Sequence, residues 1–164
     1  MLAKKIAMLG MWGVGKTSLV KRYVESLFDE KYHSTLGVKV DKKLVEVDGQ
    51  PLQLMLWDIA GAEDRFDIPM HYVKGAAGYL LVLDGTHAPS LDRGLDIVEA
   101  VRRDVGPIPF VVVVNKADLP WEITPEMIEA RLAPLGCTIL EGSAKTGQNV
   151  DAAFEALARA TLAS

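Results

Sequence analysis

Residues 10–17 read GMWGVGKT and match the spacing G-x-x-x-x-G-K-[ST], which is typical of loops that bind phosphate. Glycines allow backbone N–H groups to turn inward around an anionic phosphate chain, and a helix that follows adds its free donors and dipole. Lys16 can reach the terminal phosphates, and the Thr17 hydroxyl can ligate Mg²⁺. The alternative is a chance glycine-rich turn, but an apolar run precedes the motif and a helical pattern follows it. The motif predicts a nucleoside triphosphate site whose phosphate-binding residues are Gly10, Gly13, Val14, Gly15, Lys16, Thr17 and Ser18.

Residues 115–118 read NKAD and follow a second apolar run. A carboxylate only accepts hydrogen bonds, so Asp118 can pair with both the N1–H and the exocyclic amine of guanine, a donor pair that adenine lacks. Asn115 is predicted to tie this loop to the phosphate loop, and the Lys116 stem to lie along the base. On its own the motif also fits a solvated loop, and its position after a phosphate loop favours guanine.

Residues 143–145 read SAK and follow another strand-like segment. A small residue at this place lets a backbone N–H reach the O6 acceptor of guanine. The competing enzyme class is a kinase or ATPase with a phosphate loop, and Asp118 together with this segment argues against it. The two loops predict a guanine and ribose site formed by Asn115, Lys116, Asp118, Ser143, Ala144 and Lys145.

Strand-like and helix-like segments alternate along the chain, which is typical of an α/β fold with a mostly parallel sheet. Asp48-Gly49 is a strong hairpin signal and predicts one antiparallel pair. Ser90 and Thr124 are predicted helix N-caps, and Pro125 suits a first helical turn. The predicted strands are 5–9, 38–47, 52–57, 79–83, 110–114 and 137–140, and the predicted helices are 16–27, 90–105, 124–133 and 149–162.

The composition of the 164 residues is that of an ordinary globular domain, with 49% hydrophobic and 24% charged residues, and predicts a single domain over 1–164. A net charge of -4 argues against a nucleic-acid partner and against docking on acidic membranes. The single cysteine, Cys137, is predicted to be a buried strand thiol, and the lack of a disulfide framework fits a reducing, cytoplasmic compartment. The C-terminal residues contain no cysteine for prenylation, so we expect a chain without a lipid anchor unless it is a piece of a longer protein.

These motifs together resemble the small GTPases of the Ras superfamily, and the Rab-like branch most. The resemblance covers nearly the whole chain and includes WDIAG at 57–61, EGSAKTGQNV at 141–150 and YHSTLGV at 32–38. It implies a P-loop NTPase fold of three α/β/α layers, with a six-stranded, mostly parallel sheet, one antiparallel edge strand and five helices. It also implies a GTP-binding switch that hydrolyses GTP to GDP and phosphate.

The resemblance further implies roles for four residues outside the phosphate-binding and guanine-binding motifs. Thr35 would join the Mg²⁺ shell when GTP is bound, and Asp58 would bind the ion through water. The Gly61 backbone N–H would touch the γ-phosphate, and Phe28 would lie against the guanine ring, although packing at a helix end explains Phe28 equally well. The implied metal site is Thr17, Thr35 and Asp58, and the implied catalytic residues are Lys16, Thr35 and Gly61.

Loss of the γ-phosphate would release two switch segments, residues 32–40 and 60–74. In the family these segments bind effectors, exchange factors and activating proteins, so the resemblance implies such partners here. We expect the chain itself to be a monomer.

Two residues depart from the family pattern. Ala62 occupies the position of the glutamine that orients the attacking water, and alanine has no polar group for that task. Trp12 occupies a P-loop position that normally holds a small residue, where an indole would crowd the space used by an activator's arginine finger. Both departures predict slow hydrolysis, or in the extreme a pseudo-GTPase that binds GTP as a binding module. The alternative is that Trp12 points outward and a residue of 63–65 positions the water.

Overall fold

The computed structural model describes residues 2–25, 38–59 and 69–163, and six strands in these ranges form one sheet. The strand order is β2-β3-β1-β4-β5-β6, so the second strand lies at one edge and the sixth at the other. The predicted six-stranded sheet is confirmed, although several strands extend beyond the predicted bounds. The strands are β1 (Leu2–Leu9), β2 (Val38–Val47), β3 (Gln50–Ile59), β4 (Gly78–Asp84), β5 (Phe110–Asn115) and β6 (Thr138–Glu141).

One hairpin provides the antiparallel pair, as Asp48-Gly49 predicts. Both residues have positive φ angles, 51° and 81°, which matches the backbone twist that tight hairpins require. β2 pairs with β3 antiparallel, and every other neighbouring pair of strands is parallel. Parallel strands end at the same edge of the sheet, so the segments after β1, β3, β4, β5 and β6 are brought together there.

Four α-helices lie in the described residues: α1 (Lys16–Glu25), α2 (Pro89–Asp104), α3 (Pro125–Arg131) and α4 (Val150–Ala163). Two short 3₁₀ helices accompany them, at Met70–Tyr72 and Ala133–Leu135. These four correspond to the four helices placed on the sequence, and the fifth helix of the predicted fold is not among the described residues.

The two predicted helix caps differ in outcome. Thr124 caps α3 as predicted, because its hydroxyl accepts a hydrogen bond of 3.1 Å from the Met127 backbone N–H. The prediction for Ser90 is wrong, since α2 already begins at Pro89 and leaves Ser90 inside the first turn. Its buried hydroxyl instead hydrogen-bonds the backbone of Asp84, so Ser90 joins the helix to the end of β4.

Side chains alternate along β4 between two separate apolar cores. Leu80 and Val82 pack on the face covered by α1 and α4, and Leu81 and Leu83 pack on the face covered by α2 and α3. Each fully buried leucine or valine contributes about 1.5–3 kcal/mol relative to exposure, so both helical layers are held strongly on the sheet. The three-layer α/β/α architecture is thereby confirmed.

Cys137 lies just before β6 and is only partly buried, so its prediction as a buried strand thiol is wrong. Partial burial still raises the pKa of the thiol above its ordinary value. Among the residues described, none of the helices combines the length and the apolar character that crossing a bilayer would require.

Candidate nucleotide-binding site

The loop between β1 and α1 has the backbone of a phosphate cradle. Gly13 and Gly15 adopt φ angles of 83° and 103°, a region that other residues enter only with strain. A Cβ at Gly15 would also overlap the side-chain amide of Asn115, so this loop and the next share one contact surface. α1 begins directly at Lys16, which places the free N–H groups of its first turn at the loop.

Lys16 is buried at the centre of this loop, with only 7% of its surface exposed. Its ammonium donates hydrogen bonds to the carbonyls of Gly10, at 3.2 Å, and Met11, at 3.4 Å. Burial lowers the pKa of Lys16 to about 8, and the nearby Asp58 carboxylate partly opposes that shift. Two neutral carbonyls are weak partners for a buried cation, and the oxygens of a phosphate would be stronger ones.

Thr17 and Asp58 form the second polar pair. The Thr17 hydroxyl donates a hydrogen bond of 2.6 Å to Oδ2 of Asp58 at the end of β3. In the part of the chain that the structure describes, Oδ1 of Asp58 is buried without a hydrogen-bond partner. Burial raises the pKa of this carboxyl, which a cation beside it would reverse. A hydroxyl and an orphaned carboxylate oxygen are hard ligands of the kind that Mg²⁺ prefers, so these residues fit that ion.

Asn115, at the end of β5, connects the loop after β1 with the loop after β6. Its amide nitrogen donates to the Val14 carbonyl at 2.9 Å, and its amide oxygen accepts the Ala144 N–H at 3.2 Å. The side chain is 3% exposed, so these bonds are shielded from water. The link from this residue to the phosphate loop, which the sequence predicts, is present in the structure.

The Lys116 side chain extends from the same loop toward β4. Its ammonium lies 2.7 Å from Oδ2 of Asp84 and 3.3 Å from the Gly13 carbonyl. Asp84 is the last residue of β4 and buried, so the ion pair fixes the end of the Lys116 side chain between β4 and the phosphate loop. Sequence reasoning missed Asp84, although an acidic residue that ends an apolar strand at the ligand-binding edge is a usable signal.

Asp118 is exposed, so its carboxylate is accessible to a ligand. Its Oδ1 accepts a hydrogen bond of 2.6 Å from the buried Ser143 hydroxyl, which itself accepts the Thr146 N–H at 3.1 Å. The sequence predicted only that the segment around Ser143 offers a backbone donor. The structure adds a side-chain contact that orients the Asp118 carboxylate.

Arg22 is a second residue that sequence reasoning missed. From α1 its guanidinium donates to the carbonyls of Lys145, at 3.2 Å, and Thr146, at 3.1 Å. Gly147 lies against the same guanidinium, and a Cβ there would approach it to 2.7 Å. No local pattern announces this contact, because 123 residues separate Arg22 from Lys145.

Several predicted site residues lie outside the described residues: Phe28, Thr35, Gly61 and Ala62. Trp12 is described, and 49% of its surface is exposed. The described structure therefore brings together the predicted phosphate-binding residues with Asn115, Lys116, Asp118, Ser143, Ala144, Lys145 and Asp58.

Comparison with known sequences identifies the family. A sequence profile of the Ras family matches residues 5–163. The chain belongs to the Ras family of small GTPases. It is a GTP-binding molecular switch, and the fold and family expected from its motifs are confirmed.

Similar proteins place this small GTPase near the Rab and Ypt proteins. It is 36% identical to the Ypt/Rab-type GTPase avaA of Emericella nidulans, over 97% of this chain and 82% of that protein. It is 34% identical to the GTP-binding protein ypt2 of Schizosaccharomyces pombe, over 94% and 79% of the two chains. It is 32% identical to the Ras-related protein Rab-13 of Mesocricetus auratus, over 94% and 78%. These relatives confirm the resemblance to the Rab-like branch.

Proposed function

We propose that this GTPase binds GTP and GDP in the site around Lys16 and Asn115, and that it hydrolyses GTP slowly. The observation that carries the proposal is the Asn115 side chain, which joins the phosphate loop to the loop of Ala144 from a buried position. These two bonds support a single site with the buried Lys16 cation at one end and the exposed Asp118 carboxylate at the other. A guanine nucleotide is complementary to both ends: its phosphates would pair with the cation, and the N1–H and exocyclic amine of its base would donate to the carboxylate.

The phosphate end would be held by the backbone N–H groups of the loop and the first turn of α1. Lys16 would exchange its two carbonyl partners for phosphate oxygens and so neutralise charge that develops on the transferred group. Thr17 and Asp58, with Thr35, would hold Mg²⁺. When bound, Mg²⁺ neutralises phosphate charge and so assists the attack of water on the γ-phosphate.

The base end would be read by Asp118, with its carboxylate oriented by Ser143. The Ala144 N–H, which donates to the Asn115 amide oxygen at 3.2 Å, would be shared with guanine O6, while Lys145 and Phe28 would border the base. Lys116 would lie along the base, with its ammonium held by Asp84. Adenine would leave the Asp118 carboxylate without its pair of donors. A polar group left unpaired in this way costs binding energy, so the site would select guanine strongly over adenine.

Slow hydrolysis is proposed from two residues of the sequence. Ala62 has no group to orient water, and Trp12 stands in the phosphate loop with about half of its indole exposed. We infer that an arginine finger would find this space obstructed. The second candidate function, a binding module that retains GTP almost indefinitely, rests on the same two residues.

The partners proposed for this switch are effectors, exchange factors and activating proteins that bind residues 32–40 and 60–74. Val40 belongs to the first of these segments and is 41% exposed on β2, so an apolar contact is available there. We propose that residues 1–164 act as one monomeric G domain in the cytoplasm, without a nucleic-acid partner. A G domain that forms part of a longer protein would present the same surfaces.

Nucleotide competition tests the binding half of the proposal. Purified protein should prefer GTP over ATP by at least about 10⁴-fold, because a hydrogen-bonding site rejects an analogue that leaves its polar groups unpaired. Asp118→Asn should abolish that preference while leaving the protein folded, and chelation of Mg²⁺ with EDTA should weaken GTP binding to the wild type. An Asp118→Asn variant with full preference for GTP would overturn the assignment of the base.

Single-turnover hydrolysis tests the catalytic half. Ala62→Gln should accelerate phosphate release, and Trp12→Gly should restore a response to an arginine-bearing activator, an effect of about 10³–10⁵ where such activators work. Wild-type protein that hydrolyses GTP as fast as Ala62→Gln would contradict slow turnover. A rate of zero over many hours would favour the binding module.

A further inference from the structure

Trp121 lies three residues beyond the predicted guanine-reading carboxylate and contacts the loop that carries it. Its indole N–H donates a hydrogen bond of 2.8 Å to the backbone carbonyl of Lys116. The same carbonyl accepts the Leu119 N–H at 3.0 Å, which closes the turn of residues 116–119. Asp118 is therefore carried by a turn whose first carbonyl has two donors, one local and one from the Trp121 side chain.

The indole rests on a glycine at the end of β4. Any Cβ at Gly85 would overlap the rings of Trp121, so only glycine leaves room for the side chain in this position. The Gly85 N–H donates a hydrogen bond of 3.0 Å to the Asn115 carbonyl. This bond fixes Gly85 to the end of β5. The indole is thus packed between β4 and the turn, not extended into solvent.

The backbone around Trp121 is anchored as well. The N–H groups of Glu122 and Ile123 both donate to the Gly85 carbonyl, at 2.8 Å and 3.0 Å. The Ile123 side chain is buried in the core, and the Glu122 carboxylate accepts the Ala88 N–H at 2.8 Å. These contacts fix the chain on the C-terminal side of Trp121. The position of the indole is therefore set independently of its hydrogen bond to the turn.

The turn needs such support because its first residue is strained. Lys116 has a φ of 70°, a left-handed conformation that costs a residue with a Cβ free energy unless its surroundings enforce it. Asp118, two residues later, is exposed, so burial in the core does not fix the position of its carboxylate. A donor on the Lys116 carbonyl opposes relaxation of the strained residue and so keeps the carboxylate at its place.

We propose that Trp121 is a positioning residue for guanine recognition: its indole, seated on Gly85, holds the turn that aims Asp118 at the base. The inference rests on the proposed reading of guanine by Asp118. Trp121 touches neither base nor phosphate in this role. It sets how well the two carboxylate bonds to guanine are aligned, and through them the rate of nucleotide release.

The variant Trp121→Phe tests this, because it keeps an aromatic ring on Gly85 and removes the donor. We expect GDP to dissociate about five- to tenfold faster, since the Lys116 carbonyl then keeps only the Leu119 N–H and the turn loses its link to the Trp121 side chain. The preference for GDP over inosine diphosphate should fall about threefold or more. Inosine lacks the exocyclic amine and makes one of the two carboxylate bonds, so misalignment costs it less.

Trp57→Phe is the matched control, since it makes the same chemical change at a partly buried indole on β3, where the ring packs against Lys5. It should leave the ratio of GDP to inosine diphosphate affinities unchanged. Gly85→Ala is the second test variant, because it retains the indole and displaces it. It should lower the ratio in the same direction as Trp121→Phe and guards against a folding defect in that variant.

The outcomes distinguish a failure of guanine recognition by Asp118 from a failure of the positioning role of Trp121 alone. If the wild type shows no preference for GDP over inosine diphosphate, the assignment of Asp118 fails and the inference falls with it. If the wild type shows the preference and both Trp121→Phe and Gly85→Ala retain it in full, only the positioning role is overturned. Weaker binding of both nucleotides by an equal factor would also overturn it, because that is the result of a general structural defect.

Discussion

The two ends of the site are built in different ways. At the phosphate end, a glycine-shaped backbone surrounds a buried cation, and the contacts of Lys16 are made within the loop that carries it. At the base end, Asp118, the residue proposed to bind guanine, is exposed, and the loops there are tethered by side chains from elsewhere, including Arg22 of α1 and Asp84 of β4. The contacts of the Lys16 cation therefore depend on local conformation and charge, whereas the base end depends on tertiary contacts.

This difference predicts unequal responses to mutation. Removal of the phosphate-end cation eliminates the main countercharge of the ligand. Removal of one tether at the base end leaves the others in place and changes alignment only. Three binding experiments, from the largest expected effect to the smallest, and one measurement of stability test that contrast.

Lys16→Met should weaken GDP and GTP binding by at least about 100-fold, because charge-assisted bonds to phosphate are among the strongest available. The nucleotide-free variant should be no less stable than the wild type, since burial of the Lys16 cation is itself unfavourable. Titration calorimetry and thermal unfolding measure the two quantities. Lys42→Met, an exposed change on β2, is the matched control, and a Lys16→Met protein with near-normal affinity would contradict the contrast.

The pH dependence of binding should show a tenfold effect. With a pKa of about 8, Lys16 is charged below pH 8 and loses its proton above it. Phosphate binds the charged form, so GDP affinity should fall as the pH rises from 8, by roughly tenfold for each pH unit until the pKa of the bound state is reached. Measured between pH 7 and 9.5, Lys16→Met should lack this slope, and a flat wild-type profile would contradict the assignment.

The free energy of unfolding should change with pH in the opposite direction to the GDP affinity. The unfolded chain holds the Lys16 proton up to its ordinary pKa of 10.5, whereas the folded, nucleotide-free protein loses it near 8. Between these values the unfolded state binds more protons, so the free energy of unfolding should rise with pH through this residue. Comparing wild type and Lys16→Met in the same denaturation series isolates the contribution.

Arg22→Ala should have the smallest effect, about two- to fivefold faster GDP release, because its hydrogen bonds to the Lys145 and Thr146 carbonyls are exposed. Stopped-flow release of a fluorescent GDP analogue measures the rate. Arg159→Ala is the control, since Arg159 also makes exposed bonds, to Asp48 and Glu155, on the far side of the molecule. Equal rates for Arg22→Ala and wild type would remove Arg22 from the set of tethers.

The same contrast explains how far the sequence could predict the molecule. The phosphate loop, the hairpin at Asp48 and the alternating strands depend on neighbouring residues, so their patterns are visible along the chain. The element boundaries are predicted less accurately. The sequence favours Ser90 as a cap, whereas its hydroxyl contacts Asp84 at the end of β4, which no local pattern shows.

The tethers of the base end could not be predicted for the same reason. Arg22 is an ordinary charged residue of a helix, and Trp121 an ordinary aromatic residue of a loop, until the fold brings each against a particular carbonyl. The residues that carry chemistry were visible from their types and spacing. The residues that hold them in place are defined only by distances between elements.

Asn115 couples the two halves of the proposed nucleotide site, the loop of Val14 and the loop of Ala144. Because one buried amide bonds to Val14 in one direction and to Ala144 in the other, a shift of either loop strains the bond to the other. Guanosine and pyrophosphate, offered as separate fragments, should therefore bind with positive cooperativity, each ordering the amide for the next. An intact nucleotide would gain from both effects at once, so its dissociation would require both loops to loosen together.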